Sequence, residues 1–201
     1  MNTLVNIIHP YVFKVEEGIP RIGPIEEFRE RDEKLAYFLK TALEKEVKVL
    51  HQRDKHPETI EGGFGNVAFR FDPVYPFLFH PSVEVAVTLK GFPILNAKPK
   101  EVPPDVWRDF KKYYTSNREL KKKVGDPKVT LFIGGFLERC LANAMLYHND
   151  NFRKQGQQVV YVPELCVSLD EEEKRVIEPK FHDRKILPVS YDEALRCLGE
   201  A

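Results

Sequence analysis

No apolar run in this chain approaches the roughly 20 residues of a membrane span, and the opening residues Met1-Asn-Thr-Leu-Val-Asn6 lack the basic and then apolar layout of a signal peptide. No membrane partner and no secretory leader are therefore expected. Cysteine is scarce as well: Cys140, Cys166 and Cys197 are the only three. A small, odd number argues against a disulfide framework and for a reducing, cytoplasmic setting. An excess of one charge is also missing, since Lys plus Arg and Asp plus Glu both count 31. Without a net field there is no general attraction to nucleic acid or to an anionic membrane surface. Finally, no glycine-rich phosphate loop follows the first apolar segment, where His9-Pro10 stands instead. That disfavours a plain nucleotide-binding domain. Internal repeats and low-complexity stretches are absent.

At 201 residues the chain suits one domain, 1–201, large enough to bury a core without staples. Thr3-Leu-Val-Asn-Ile-Ile8 is an apolar run stopped by His9-Pro10, the pattern of a buried central strand. A loop with Gly18, Pro20, Gly23 and Pro24 follows. Ile25, Phe28, Leu35, Phe38, Leu39, Ala42 and Leu43 then keep helical spacing to about Glu46. Val47-Lys-Val-Leu50 is the next strand, so a parallel βαβ unit is expected. From about Gln52 to Pro81 a long ordered loop is expected, Ser82 to Lys90 fits either strand or short helix, and Phe92 to Ala97 is predicted as strand. A helix is predicted from Asp105 to about Lys122, strands at Gln158–Val162 and Ile186–Val189, a helix starting in Asp170-Glu-Glu-Glu173, and a last helix from Asp192. The alternation predicts an α/β fold: an open, mainly parallel sheet of about six strands with helices on both faces, in three layers. In such sheets sites form beyond the carboxyl ends of the strands.

The chain is organised around Val129 to Ala144, where a β-branched apolar segment passes through Gly134-Gly135 into a helical pattern. Cys140 falls in the first turn of that helix, where unpaired N–H groups and the dipole favour a thiolate. A competing reading is core packing, because Leu137, Cys140, Leu141, Ala144, Met145 and His148 share one helical face. Glu164, at a strand end, reads most simply as a cap or an ion-pair partner. Trp107, Tyr113 and Tyr114 fit either a ring-binding pocket or core, and Lys121 to Lys123 a solvated helix end.

Four segments in order resemble the isochorismatase-like cysteine hydrolases, and most their nicotinamidase branch. Asp54-Lys-His56-Pro57 resembles the Asp-x-His-Pro metal motif after the second strand. Lys98, with Phe110 twelve residues on, resembles the catalytic lysine and its trailing aromatic. Gly134-Gly-Phe-Leu-Glu-Arg-Cys140 resembles the Gly-x5-Cys nucleophile stretch, and Val160-Tyr-Val-Pro-Glu164 the strand that follows it. The resemblance runs from about Thr3 to Leu198. It implies that Cys140 attacks a small amide or carbonyl substrate while Lys98 stabilises the developing charge. It further implies that the N–H groups of Phe136 and Cys140 receive the oxyanion, and that a non-proline cis peptide falls between Gly135 and Phe136. A homo-oligomer, dimer or larger, is implied too.

Two departures qualify the resemblance. The family's general-base aspartate lies in a pattern Asp-x-Gln-x-x-Phe at the end of the first strand. Matching Phe13 to that phenylalanine puts Ile8 in the aspartate position with His9 beside it, and the first thirteen residues hold no carboxylate. His9 is the replacement base on offer, although strict alternation along a strand would point it away from the side Ile8 faces. The metal motif is also incomplete: the third ligand position falls near Tyr75, and His80 is the nearby histidine that would complete a set for zinc or another divalent metal with Asp54 and His56. The alternative to a hydrolase is a catalytically impaired member that binds a small metabolite or serves in an assembly.

Overall fold

The computed structural model describes residues 2–10, 13–16, 19–22, 29–54, 75–78, 80–88, 114–168 and 170–199. Its frame is a sheet whose two innermost strands are buried at every position: β1 (Thr3–Ile8) and β6 (Val129–Gly135). A strand covered on both faces has no solvent side to alternate with, which is why both are mostly apolar or small, with only Thr3, Asn6 and Thr130 polar. β4 (Lys48–Asp54), β5 (Val83–Thr88), β7 (Gln158–Val167) and β8 (Ile186–Pro188) complete six strands in the order β5-β4-β1-β6-β7-β8. Every pairing in that sheet is parallel. This is the predicted open α/β sheet.

The period of two divides the sheet's side chains between two apolar layers. Val5, Ile7, Val49, Leu131 and Ile133 face α1 (Arg29–Glu44) and the C-terminal helix (Tyr191–Gly199), meeting Leu35, Phe38, Leu39, Ala194 and Leu198. Leu4, Ile8, Leu50 and Phe132 face the other way, toward Leu120 and Val124 of the helix Asn117–Val124, Leu141 and Met145 of the helix Cys140–Asn151, and Phe181 of the helix Glu171–Asp183. With the short helix α2 (Tyr75–Leu78), these are α3 (Asn117–Val124), α4 (Cys140–Asn151), α5 (Glu171–Asp183) and α6 (Tyr191–Gly199). Each fully buried side chain of Phe or Leu size is worth about 1.5–3 kcal/mol against exposure. The two clusters are therefore what hold the three layers together. Among the described residues no helix is long and apolar enough to cross a membrane.

Several elements differ from expectation. The segment predicted as loop after β1 contains an antiparallel pair, β2 (Phe13–Glu16) and β3 (Ile19–Ile22), in a sheet of its own. Of the helix predicted from Asp105 to about Lys122, residues 105–113 lie outside the described residues, 114–116 are not helical, and Ser116 caps a helix over Asn117–Val124. Its hydroxyl accepts from the Glu119 N–H while the Glu119 carboxylate accepts from the Ser116 N–H, a reciprocal capping box. Gly125 (φ 72°) ends that helix. Ser82 to Lys90 resolves as the edge strand β5, flanked by Thr115, whose N–H donates to the Val87 carbonyl at 3.1 Å. The predicted strand at 92–97 lies outside the described residues, as do Trp107 and Tyr113.

Candidate active site at the carboxyl ends of the central strands

The backbone of β6 leaves the sheet through two glycines, and the first is required by contact. Gly134 has φ 116°, and a Cβ built there would lie 1.8 Å from the Ile8 carbonyl oxygen. Only glycine lets β1 and β6 pair as Ile8 with Gly134. Gly135 is confined from the other side, its Cβ position being 3.2 Å from Cβ of Val167 and 3.6 Å from the His9 carbonyl oxygen. The Gly135–Phe136 peptide bond is cis, at the place the resemblance implied.

The chain then turns tightly. The Leu137 N–H donates to the Val167 carbonyl at 2.7 Å, and the Phe136 carbonyl accepts from both Arg139 (3.0 Å) and Leu141 (3.1 Å). Cys140 is the first residue of α4, and no side chain caps this helix at Arg139. The Arg139 guanidinium instead reaches α5, pairing with the Glu173 carboxylate at 2.9 and 3.2 Å. Cys140 is half-buried and packs against the apolar layer that holds Ile8, Leu137 and Leu141. Both sequence readings of this residue therefore apply together: it opens a helix and it lies on the core stripe.

The position that the resemblance matches to a carboxylate holds an apolar side chain. Ile8 is the last residue of β1, 3% exposed, and belongs to the same cluster as the Cys140 helix. His9 follows with φ 39°, in the left-handed region, and is half-buried. The alternation rule covers Thr3–Ile8 and stops there, so it does not confine His9 to the side away from Ile8. Lys98, the expected charge stabiliser, lies outside the described residues.

The other thiol at this end of the sheet has a different setting. Cys166 pairs in register with Gly134. Burial pushes its thiol up to about 12, against the opposing pull of the Arg31 charge, even though the residue as a whole keeps some exposed surface. It stays protonated near neutral pH and is a poor nucleophile.

The expected metal set does not come together. Asp54 closes β4 opposite Thr88, at the carboxyl end of the sheet. His80 precedes β5, whose first residue Val83 pairs with Val49, so the two candidates flank opposite ends of parallel strands. The strands alone separate those ends by roughly 16 Å at about 3.3 Å per residue, which no pair of side chains closes to metal-bond length. The exposed His80 ring also accepts the Ser82 N–H at Nδ1, 3.2 Å, in a local turn. His56 lies outside the described residues, and among those described no group of three His, Cys, Asp or Glu residues is placed to hold an ion. Of the set Asp54, His56 and His80, the described residues thus place His80 and the backbone of Asp54 at opposite strand ends.

Glu164 accepts the Tyr191 N–H at 3.0 Å and so caps α6, the structural role read for it. Arg31 and Asp32, buried at the start of α1, carry a polar cluster that sequence reasoning missed. The signal was present: both fall on the helical stripe between Phe28 and Leu35, where an apolar residue is expected.

No family model matches the chain, and no curated protein matches it in sequence. Solved structures do. N-carbamoylsarcosine amidase from Thermoplasma acidophilum aligns over 96% of this chain and 98% of its own, with TM-score 0.58 and 13% identity. Nicotinamidase from Bacillus subtilis covers 94% and 100%, with TM-score 0.57 and 15% identity. Pyrazinamidase from Pyrococcus horikoshii, solved in complex with zinc, covers 94% and 99%, with TM-score 0.56 and 13% identity. Isochorismatase-like hydrolases are among the matches as well. At such identities the likeness is one of fold: a three-layer α/β/α sheet of isochorismatase and nicotinamidase type.

Proposed function

We propose that this chain is a cysteine hydrolase of isochorismatase-like fold that acts on a small amide or related carbonyl compound through Cys140. The observation that carries the proposal is the position of Cys140, first residue of α4 directly after the cis Gly135–Phe136 turn, at the carboxyl ends of β1 and β6. In this reading His9 takes the thiol proton and the sulfur attacks the carbonyl carbon. The tetrahedral oxyanion is received by the backbone N–H groups of Phe136 and Cys140, with the ammonium of Lys98 as the nearby positive charge. The amine leaves with the proton held by His9, and water then cleaves the thioester to release the acid and restore the thiol. No step is routed through a metal.

Ile8 favours a second reading. With an apolar side chain sealed at the strand end where the fold's hydrolases are read to carry a carboxylate, the chain keeps the pocket to bind a small metabolite or to serve in an assembly, without turnover. One experiment decides between them. The purified protein and its Cys140→Ala variant are assayed for ammonia release from a panel of small primary amides that includes nicotinamide. Release by the wild type that the variant loses supports the hydrolase. Equal, background-level release by both, with ligand binding detected by calorimetry, establishes the binding protein.

A further inference from the structure

The chain leaving β1 is tied down by one buried side chain. Arg31, on the first turn of α1, is 8% exposed. Its Nη1 donates to the Pro10 carbonyl at 2.7 Å and to the Asp32 carboxylate at 2.5 Å, and its Nε donates to the Leu165 carbonyl at 3.3 Å. Pro10 follows β1 and Leu165 lies in β7, while β6 runs between those two strands. The guanidinium thus spans the carboxyl end of β6 on the α1 side. Gly134 and Gly135 close β6 there, and neither carries a side chain to obstruct the span. The span ends one residue beyond His9, whose φ of 39° is a conformation that a residue with a Cβ keeps only where its surroundings hold it.

We propose that Arg31 is a positioning residue for His9: by fastening Pro10 to β7 it fixes the left-handed exit from β1 and with it the place of the imidazole relative to Cys140. The inference rests on the reading of His9 as base. Asp32 serves Arg31 in turn, since a buried guanidinium with no counter-charge would be costly. Lysine cannot replace arginine here, because one ammonium cannot hold two carbonyls on opposite sides of a strand end in a planar fork.

The test is a double-mutant cycle on the rate at which iodoacetamide labels Cys140, followed from acid to alkaline pH in the wild type, His9→Ala, Arg31→Met and His9→Ala with Arg31→Met. Thermal melts identify any variant that fails to fold, in which case Arg31→Lys takes its place. Arg31→Met is expected to slow labelling near neutral pH about tenfold, a magnitude in keeping with misplacement of a catalytic group by less than an ångström. It is also expected to remove the same limb of the pH profile as His9→Ala and to have no further effect once His9 is gone. Equal slowing in both backgrounds overturns the positioning role while leaving His9 as base. A His9→Ala protein that labels like the wild type overturns the base and this inference with it.

Discussion

Gly134→Ala is the sharpest test of how the site is built. The added methyl would start 1.8 Å from the Ile8 carbonyl oxygen and 2.8 Å from its carbonyl carbon, with φ 116° denying the alanine a comfortable backbone conformation. Both obstacles are backbone atoms of a fully buried strand, so no side chain can swing aside to make room. Contact at the ordinary limit of 3.4 Å requires β1 and β6 to part by about 1.6 Å at the position where Ile8 pairs with Gly134. A sparsely populated φ costs about 1–3 kcal/mol and overpacking a tight interior a further 1–3 kcal/mol or so. A total of roughly 2–6 kcal/mol is a large part of the 5–15 kcal/mol typical of a domain. At about 2–4 °C per kcal/mol for a chain of this size, the melting temperature should fall by roughly 4–24 °C. Gly125→Ala is the control, with a positive φ of 72° but nothing within 4 Å of the new methyl, so it should carry only the backbone share of the cost, about 1–3 kcal/mol. Urea titrations followed by circular dichroism measure both. A Gly134→Ala protein as stable as Gly125→Ala would refute the close approach of β1 and β6.

Three other outcomes are expected. His148 is 4% exposed, bonded to the Thr130 hydroxyl at 3.2 Å, and burial, helped by the Arg153 charge, lowers its pKa to about 4. Because the unfolded chain takes up that proton first, the neutral ring contributes stability above about pH 6.5 that is lost as pH falls toward 4, about 3 kcal/mol in all; urea midpoints for the wild type and His148→Gln should converge in that window. Gln52 Nε2 donates to Asn6 Oδ1 at 2.9 Å in the buried layer, so Asn6→Leu alone should cost about 1–3 kcal/mol by orphaning the Gln52 amide, and the double change with Gln52→Leu less than the two single effects added; strictly additive effects in chemical denaturation would contradict the coupling. Ile8→Asp puts a carboxylate among apolar neighbours and should cost about 2–4 kcal/mol in urea titrations while raising amide hydrolysis; a rise in neither destabilisation nor rate would show that Ile8 does not occupy the family's carboxylate position.

What the sequence made legible is what local pattern determines. Thr3–Ile8 and Val129–Gly135 are too apolar to be anything but covered strands, and the glycine pair before Cys140 marks a turn into a helix without any tertiary information. Glu164 reads as a cap at the end of a strand; the strand runs on to Val167, and the carboxylate meets the first N–H of α6 from within β7. The misses have two physical sources. Pro20 and Gly18 look like loop punctuation, yet Phe13-Lys-Val-Glu16 and Ile19-Pro-Arg-Ile22 flank a two-residue Glu17-Gly18 connection, which is a hairpin signal. Ser116-Asn-Arg-Glu119 likewise spells a capping box inside what periodicity alone joined into one longer helix. The place of His80 in the fold was hidden for a different reason. Proximity in sequence says nothing of which end of a parallel strand a residue occupies, and the register of β4 with β5 sets it at the end away from Asp54. Arg31 shows the limit of an amphipathic count, since a charged residue on the buried stripe lowers the pattern score at the position where it forms three hydrogen bonds in the interior.

The geometry around Cys140 and the chemistry expected of it rest on separate supports. The turn is held by the Val167 carbonyl, by the Phe136 carbonyl's two bonds and by the close pairing of Gly134 with Ile8 through backbone atoms. None of these involves the side chain at position 8. An aspartate or an isoleucine there presents the same backbone to β6, so exchanging one for the other leaves the turn before Cys140 in place while changing a charge. The likeness of fold over nearly the whole chain therefore does not decide turnover. The burden shifts to the residue that follows: β1 stops at Ile8, the backbone reverses hand at His9, and Arg31 secures Pro10 from the opposite layer. If a proton acceptor other than an aspartate serves Cys140, the strand end is built so that its first departure from regular β geometry falls on an imidazole.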